Sequence, residues 1–103
     1  MTLKDQLASG EPQYGLWMGL ANPYSAEICA GSGADWVLID GEHAPNTLTT
    51  VLGQVQSARG LVEVMARTPD RDSTLIKQYL DLGVRNLLVP GVETPQHAAE
   101  VVA

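Results

Sequence analysis

The chain has 103 residues, 45% of them hydrophobic, with six Lys and Arg against twelve Asp and Glu for a net charge of −6. That length allows one domain at most, with enough chain for a real core. The basic residues Lys4, Arg59, Arg67, Arg71, Lys77 and Arg85 are scattered, which argues against nucleic acid because phosphate binding needs a concentrated cationic face. Cys29 is the only cysteine, so neither an intrachain disulfide nor a cysteine zinc site can form, and it reads as a small buried hydrophobe. No apolar run approaches the roughly 20 residues of a membrane span, and Met1–Asp5 has no signal-peptide stretch, so no membrane partner and a cytoplasmic location are expected.

Thr2 to Ser9 is predicted as a short helix, with Thr2 and Asp5 as a capping box and Gly10 as the stop. Tyr14 to Leu20 is a strand candidate with Trp17 and Met18 at its centre. Asn22 as N-cap and Pro23 at the first helical position open a helix to about Ala30, which ends in Gly31-Ser32-Gly33. Asp35 to Asp40 is a second strand; its continuous run Trp36-Val37-Leu38-Ile39 suits a parallel strand covered on both faces. After the loop from Asp40 to Pro45, Asn46 is the expected cap of a helix in which Leu48, Val51, Leu52 and Val55 form an apolar stripe.

Leu61 to Arg67 is a third strand, followed by a loop from Thr68 to Asp72. A helix then starts near Ser73 with Leu75, Ile76, Tyr79 and Leu80 on one face and Gly83 as its stop. Asn86 to Val89 is a fourth strand, and Thr94-Pro95 opens a last helix still running at Ala103. Strands alternating with helices imply a parallel sheet with helical crossovers. A weak internal repeat supports this: Gly33 to Ile39 matches Gly83 to Val89 in pattern, two strand–helix units apart. The rhythm is that of a (β/α)8 barrel, but four strands are half the count, and a closed barrel typically takes about 250 residues. The expected fold is therefore α/β: a leading helix and four parallel strand–helix units, the N-terminal half of a TIM barrel. Residues 1–103 would form a partial barrel domain truncated in the fourth crossover helix. A complete four-stranded, doubly wound domain is the alternative.

Barrel chemistry sits at the C-terminal ends of the strands. Asp40-Gly41-Glu42-His43 places two carboxylates and an imidazole there, where Asp40 could orient His43 as a general base; the bland alternative is an Asp-Gly turn with solvated charges. Arg67, at the end of the third strand, could clamp a carboxylate through two parallel hydrogen bonds, or could simply pair with Asp70 or Asp72. Glu63 within that strand would need a partner if it pointed inward. His97 reads as a surface side chain, and Asp70, Arg71 and Asp72 as a solvated helix-capping cluster.

Gly15-Leu16-Trp17-Met18-Gly19-Leu20, then Trp36 through Asn46 with Leu38-Ile39-Asp40-Gly41-Glu42-His43-Ala44-Pro45-Asn46 at its heart, resemble the HpcH/HpaI aldolase family. Val64-Met65-Ala66-Arg67, Ile76 through Gly83 and Leu87-Leu88-Val89-Pro90 extend the resemblance over nearly the whole chain. It implies a carbon–carbon lyase with a TIM barrel, which cleaves a 4-hydroxy-2-oxo acid reversibly to pyruvate and an aldehyde. A divalent metal (Mg, Mn or Co) would stabilise the enolate as a Lewis acid. No lysine Schiff base is implied, which fits two lysines in predicted helices. The resemblance assigns Arg67 to the pyruvyl oxygens, the His43/Asp40 pair to proton movement at the substrate hydroxyl, Glu42 to the metal-water network and Trp17 to the pocket wall. The family's metal ligands would lie downstream of these residues, so this chain would hold no metal and be inactive alone. A hexamer is implied for the full-length enzyme. A non-catalytic folding or assembly unit, or a small anion-binding domain, are the other readings.

Overall fold

The computed structural model describes all residues 1–103. In chain order the elements are α1 (Leu3–Ala8), β1 (Gly15–Met18), α2 (Pro23–Ala30), β2 (Trp36–Asp40), α3 (Leu48–Ala58), β3 (Glu63–Arg67), α4 (Ser73–Asp81), β4 (Asn86–Leu88) and α5 (Pro95–Val102). The four strands form one parallel sheet in the order β1-β2-β3-β4. This is the predicted α/β architecture, four strand–helix units of a TIM barrel. Strands β1, β3 and β4 are shorter than expected, because residues beyond Met18 and Leu88 and before Glu63 have turned out of the ladder.

Local signals set most boundaries. Thr2 and Asp5 form the capping box of α1, with the Asp5 amide donating to Thr2 Oγ1 at 3.2 Å. Asn22 Oδ1 accepts from the amides of Tyr24 and Ser25 at the start of α2. The repeat-matched Gly33 and Gly83 both turn the chain toward the next strand with φ near +97° and +94°, a left-handed conformation that costs a residue with a Cβ.

Alternation along the strands divides the sheet into two faces. Val37, Ile39 and Ala66 are fully buried and pack with Ala26 and Ala30 of α2 and Val51, Val55 and Ala58 of α3. The alanines let α2 lie close to α3, and each fully buried Val or Ile contributes about 1.5–3 kcal/mol. Tyr79 of α4 completes this layer. The opposite face carries Trp17, Trp36, Leu38, Met65 and Leu88, which with Leu3 and Leu7 of α1 line a groove of about 350 Å³. Crossover helices on one face only are the barrel arrangement rather than the doubly wound one.

Three helix expectations change. Thr47, not Asn46, caps α3: its Oγ1 accepts from the Thr50 amide at 3.3 Å, and Thr50 Oγ1 accepts from the Thr47 amide at 2.8 Å. In α3 the fully buried row is Val51, Gln54, Val55 and Ala58, so a glutamine occupies the core side while Leu52 is only half-buried. In α4, Leu80 is half exposed and Leu82, just past the helix, packs on the core instead.

Candidate active site at the strand tips

Strands β2 and β3 are in register with Asp40 opposite Arg67, at their C-terminal ends and on the same face as Trp17. Neighbours across a parallel ladder share a face, so the two side chains meet. Arg67 Nε donates to Asp40 Oδ1 at 3.0 Å and Nη2 to Oδ2 at 2.7 Å, a bidentate fork. The indole Nε1 of Trp17 donates to Oδ2 at 3.0 Å, and the amides of Glu42 and His43 donate to Oδ1 at 2.9 and 3.1 Å. The Arg67 guanidinium also lies 5.0 Å from the centre of the Trp17 ring, within cation–π range.

Five donors on one buried carboxylate have a clear electrostatic result. The Arg67 guanidinium holds the Asp40 carboxyl well below the usual carboxylate range; burial opposes this, and Trp17 and the two amides reinforce it. Arg67 is held as a cation by the same pair, with Asp40 again the main cause. Asp40 is thus an ionised anchor with its acceptor capacity occupied. The alternative pairing of Arg67 with Asp70 or Asp72 is not formed: Asp72 caps α4, and Arg71 contacts Glu100 at 3.4 Å.

The loop after β2 brings Glu42 and His43 to this pair. Glu42 Oε1 lies 3.4 Å from Arg67 Nη1 and 3.4 Å from His43 Nε2, so it bridges guanidinium and imidazole. The expected contact between the Asp40 carboxylate and the His43 ring takes a different form. Asp40 reaches His43 through its backbone amide, and the ring faces Glu42. The His43 side chain is 72% exposed, open to exchange with a substrate or water.

The loop is held from below. The Gly41 amide donates to the Arg67 carbonyl at 2.8 Å, and a Cβ at Gly41 would meet the Tyr79 hydroxyl and the Arg67 carbonyl oxygen. Only glycine allows so close an approach. Burial and the nearby Asp40 charge both push the Tyr79 phenol upward, so it stays neutral. Asn46 Nδ2 donates to the Asp40 carbonyl at 2.6 Å, while its Oδ1 accepts from Thr50 Oγ1 at 2.9 Å and Gln54 Nε2 at 2.7 Å. Sequence reading missed Asn46, Gln54 and Tyr79 as supports of the site. The one available signal was Gln54, three and four residues from Val51 and Ala58 on an otherwise apolar row.

Glu63 and His97 lie apart from this cluster. Glu63, half-buried at the opposite end of β3, is approached by Asn86 Nδ2 at 3.5 Å. His97 Nδ1 accepts from the Glu93 amide at 3.3 Å ahead of α5.

A divalent cation needs several free oxygen or nitrogen donors converging on a point. No group of three His, Cys, Asp or Glu side chains is gathered in this way, and Asp40 is already saturated by N–H donors. The donors on this chain do not fit a metal site of their own.

Parallel strands in sequence order with their crossover helices on one face are the strand–helix units of a (β/α) barrel. The HpcH/HpaI aldolase/citrate lyase family profile matches residues 13–103, and the chain belongs to that family. It is 58% identical over 102 residues to a hydroxypyruvate/pyruvate aldolase of Deinococcus radiodurans, covering 98% of this chain and 37% of that protein. It is 52% identical over 101 residues to a 4-hydroxy-2-oxo-heptane-1,7-dioate aldolase of Salmonella arizonae, covering 97% of this chain and 38% of that protein. A crystal structure of a family protein from Burkholderia cenocepacia superposes with a TM-score of 0.91 at 42% identity, over 97% of this chain and 40% of that one. The chain spans about two fifths of the length of these relatives.

Proposed function

We propose that this chain supplies the arginine and histidine side of a pyruvate aldolase site, in an enzyme that splits a 4-hydroxy-2-oxo acid reversibly into pyruvate and an aldehyde. The observation that carries the reading is the Asp40–Arg67 fork. It uses Nε and one N–H of Nη2, and Glu42 lies 3.4 Å from Nη1; of the five N–H groups of a guanidinium, one on Nη1 and one on Nη2 remain for an anionic oxygen. The names of the relatives, pyruvate and 2-oxo acid aldolases, agree with a substrate of that charge and shape.

The chemistry follows from the placement of charge. In cleavage a base takes the proton of the C4 hydroxyl, the C3–C4 bond breaks, and its electron pair becomes a pyruvate enolate that is later protonated at C3. Arg67 offsets the negative charge that grows on the pyruvyl oxygens, and being already fixed by Asp40 and Trp17 it needs no reorganisation to do so. On this reading His43 accepts and returns the hydroxyl proton, directly or through water, and its exposure and its position 3.4 Å from Glu42 support that role. Glu42 links the two, its Oε1 lying 3.4 Å from the His43 ring and 3.4 Å from the Arg67 guanidinium. Trp17 gives the site an apolar wall, with its ring 5.0 Å from the Arg67 guanidinium.

Divalent-metal dependence belongs to the same proposal, with the cation drawing its ligands from outside these 103 residues. On this reading the 103 residues alone form a partial barrel domain and are catalytically inert, and a hexameric, cytoplasmic enzyme is the whole-protein context. The test is to incubate the intact protein carrying this chain with pyruvate, a panel of aldehydes and Mg²⁺, Mn²⁺ or Co²⁺, following pyruvate consumption. Aldehyde-dependent loss of pyruvate is expected. No turnover with any aldehyde or ion would leave the anion-binding or assembly readings instead.

A further inference from the structure

We propose that Gln54 is a positioning residue for the strand-tip site, acting through Asn46 on the loop that carries Glu42 and His43. The inference rests on the aldolase reading for its catalytic consequence. Its structural basis is a relay of side-chain amides running from the core of α3 to the end of β2.

Gln54 is 1% exposed and lies in the apolar row of α3 with Val51, Val55 and Ala58. Burying an amide there is costly unless its polar atoms are bonded, and an aliphatic side chain of the same size would fill the space without that cost. Both N–H groups of Nε2 are used: one donates to Asn46 Oδ1 at 2.7 Å, the other to the Thr50 carbonyl at 2.9 Å. Thr50 Oγ1 donates to the same Asn46 oxygen at 2.9 Å. An oxygen receiving two donors leaves the Asn46 amide one orientation, with Nδ2 turned to the Asp40 carbonyl at 2.6 Å.

That last bond ties the two ends of the Asp40–Asn46 loop together. Between them lie Glu42 and His43, whose amides rest on Asp40 Oδ1 and whose side chains meet 3.4 Å apart beside Arg67. Arg67 itself is fixed by the side chains of Asp40 and Trp17, whereas the relay reaches Asp40 only at its main-chain carbonyl. The relay therefore controls the placement of His43 much more than that of Arg67. Loss of Gln54 is expected to affect proton transfer and to spare pyruvate binding.

The experiment uses the intact protein with Gln54→Leu, Asn46→Ala and the double variant. Gln54→Leu is expected to lower kcat about tenfold, the scale of one lost orienting hydrogen bond, with KM for pyruvate unchanged. The double variant should match Asn46→Ala, since residues acting in series are not additive. Unchanged kcat in a folded Gln54→Leu protein, a rise confined to KM, or additive losses would each overturn the proposal. Hydrogen exchange at the Glu42 and His43 amides gives a readout that needs no activity. Exchange about tenfold faster in Gln54→Leu, with core amides of α3 unchanged, is expected. Unaltered exchange would overturn the positioning role even if the parent protein proved not to be an aldolase, and absence of aldol turnover in the parent would count against that reading alone.

Discussion

Both oxygens of Asp40 face the guanidinium of Arg67, at 3.0 Å from Nε and 2.7 Å from Nη2, and the two residues are register partners on adjacent parallel strands. The pairing makes Asp40 a poor proton acceptor and Arg67 a rigid cation with donors to spare. It separates two residues that lie in neighbouring strand tips: Asp40 is the anchor, and Arg67 is the side chain it holds in place.

The pH dependence of stability follows from the depressed Asp40 carboxyl. Because its folded-state pKa lies below its unfolded value of about 3.9, its contribution is complete above that value and is lost as pH falls through the folded pKa. Acid unfolding of the wild type should therefore steepen below about pH 4, and Asp40→Asn should flatten that limb while lowering stability at neutral pH. Parallel acid-unfolding curves for the two proteins would remove this role.

Replacing Arg67 tests the anion clamp. Arg67→Lys keeps the charge but loses the planar fork, and turnover should fall about 10²- to 10³-fold, the usual effect of one lost transition-state donor. Arg67→Ala should abolish cleavage and cost about 3 kcal/mol of stability by leaving Asp40 buried without its cation. Steady-state kinetics beside urea unfolding separates the two effects, and near-normal turnover in Arg67→Ala would contradict the assigned role.

His43→Ala should behave differently. Its side chain is exposed, so stability should change by less than about 0.5 kcal/mol. On the proposed function, in which His43 moves the hydroxyl proton, its loss in the intact protein should lower kcat about 10²-fold or more, with little change in KM for pyruvate. Unaltered cleavage kinetics would take His43 out of the mechanism.

Gly41→Ala probes the floor of the site. The new methyl group would press on the Tyr79 hydroxyl and on the Arg67 carbonyl oxygen, 2.5 Å away, which sheet pairing keeps from moving. A loss of about 1–3 kcal/mol in thermal or urea unfolding is expected, the range for overpacking. Adding Tyr79→Leu should recover only part of it, because the carbonyl contact remains; full recovery would show that the phenol alone sets the limit.

Much of the fold is legible locally. The run Trp36-Val37-Leu38-Ile39, the cap Asn22-Pro23 and the paired Gly33 and Gly83 mark strand, helix start and helix stop through propensities that act within a few residues. The candidate site was legible as a set of residues that the fold brings together, Trp17, Asp40, Glu42, His43 and Arg67, but not as a set of bonds. Asn46 shows why: its type suits a helix cap, yet Thr47 supplied a competing cap one position later, which left the Asn46 amide free for the Asp40 carbonyl.

Sequence alone determined the alternation of parallel strands and helices, because hydrophobic period and turn chemistry are short-range properties. Tertiary structure alone decided that Arg67 pairs with Asp40 and not with the nearer Asp70 or Asp72, and that the His43 ring faces Glu42. Those contacts depend on strand register and on which way each side chain leaves the sheet, and packing of the whole layer sets both.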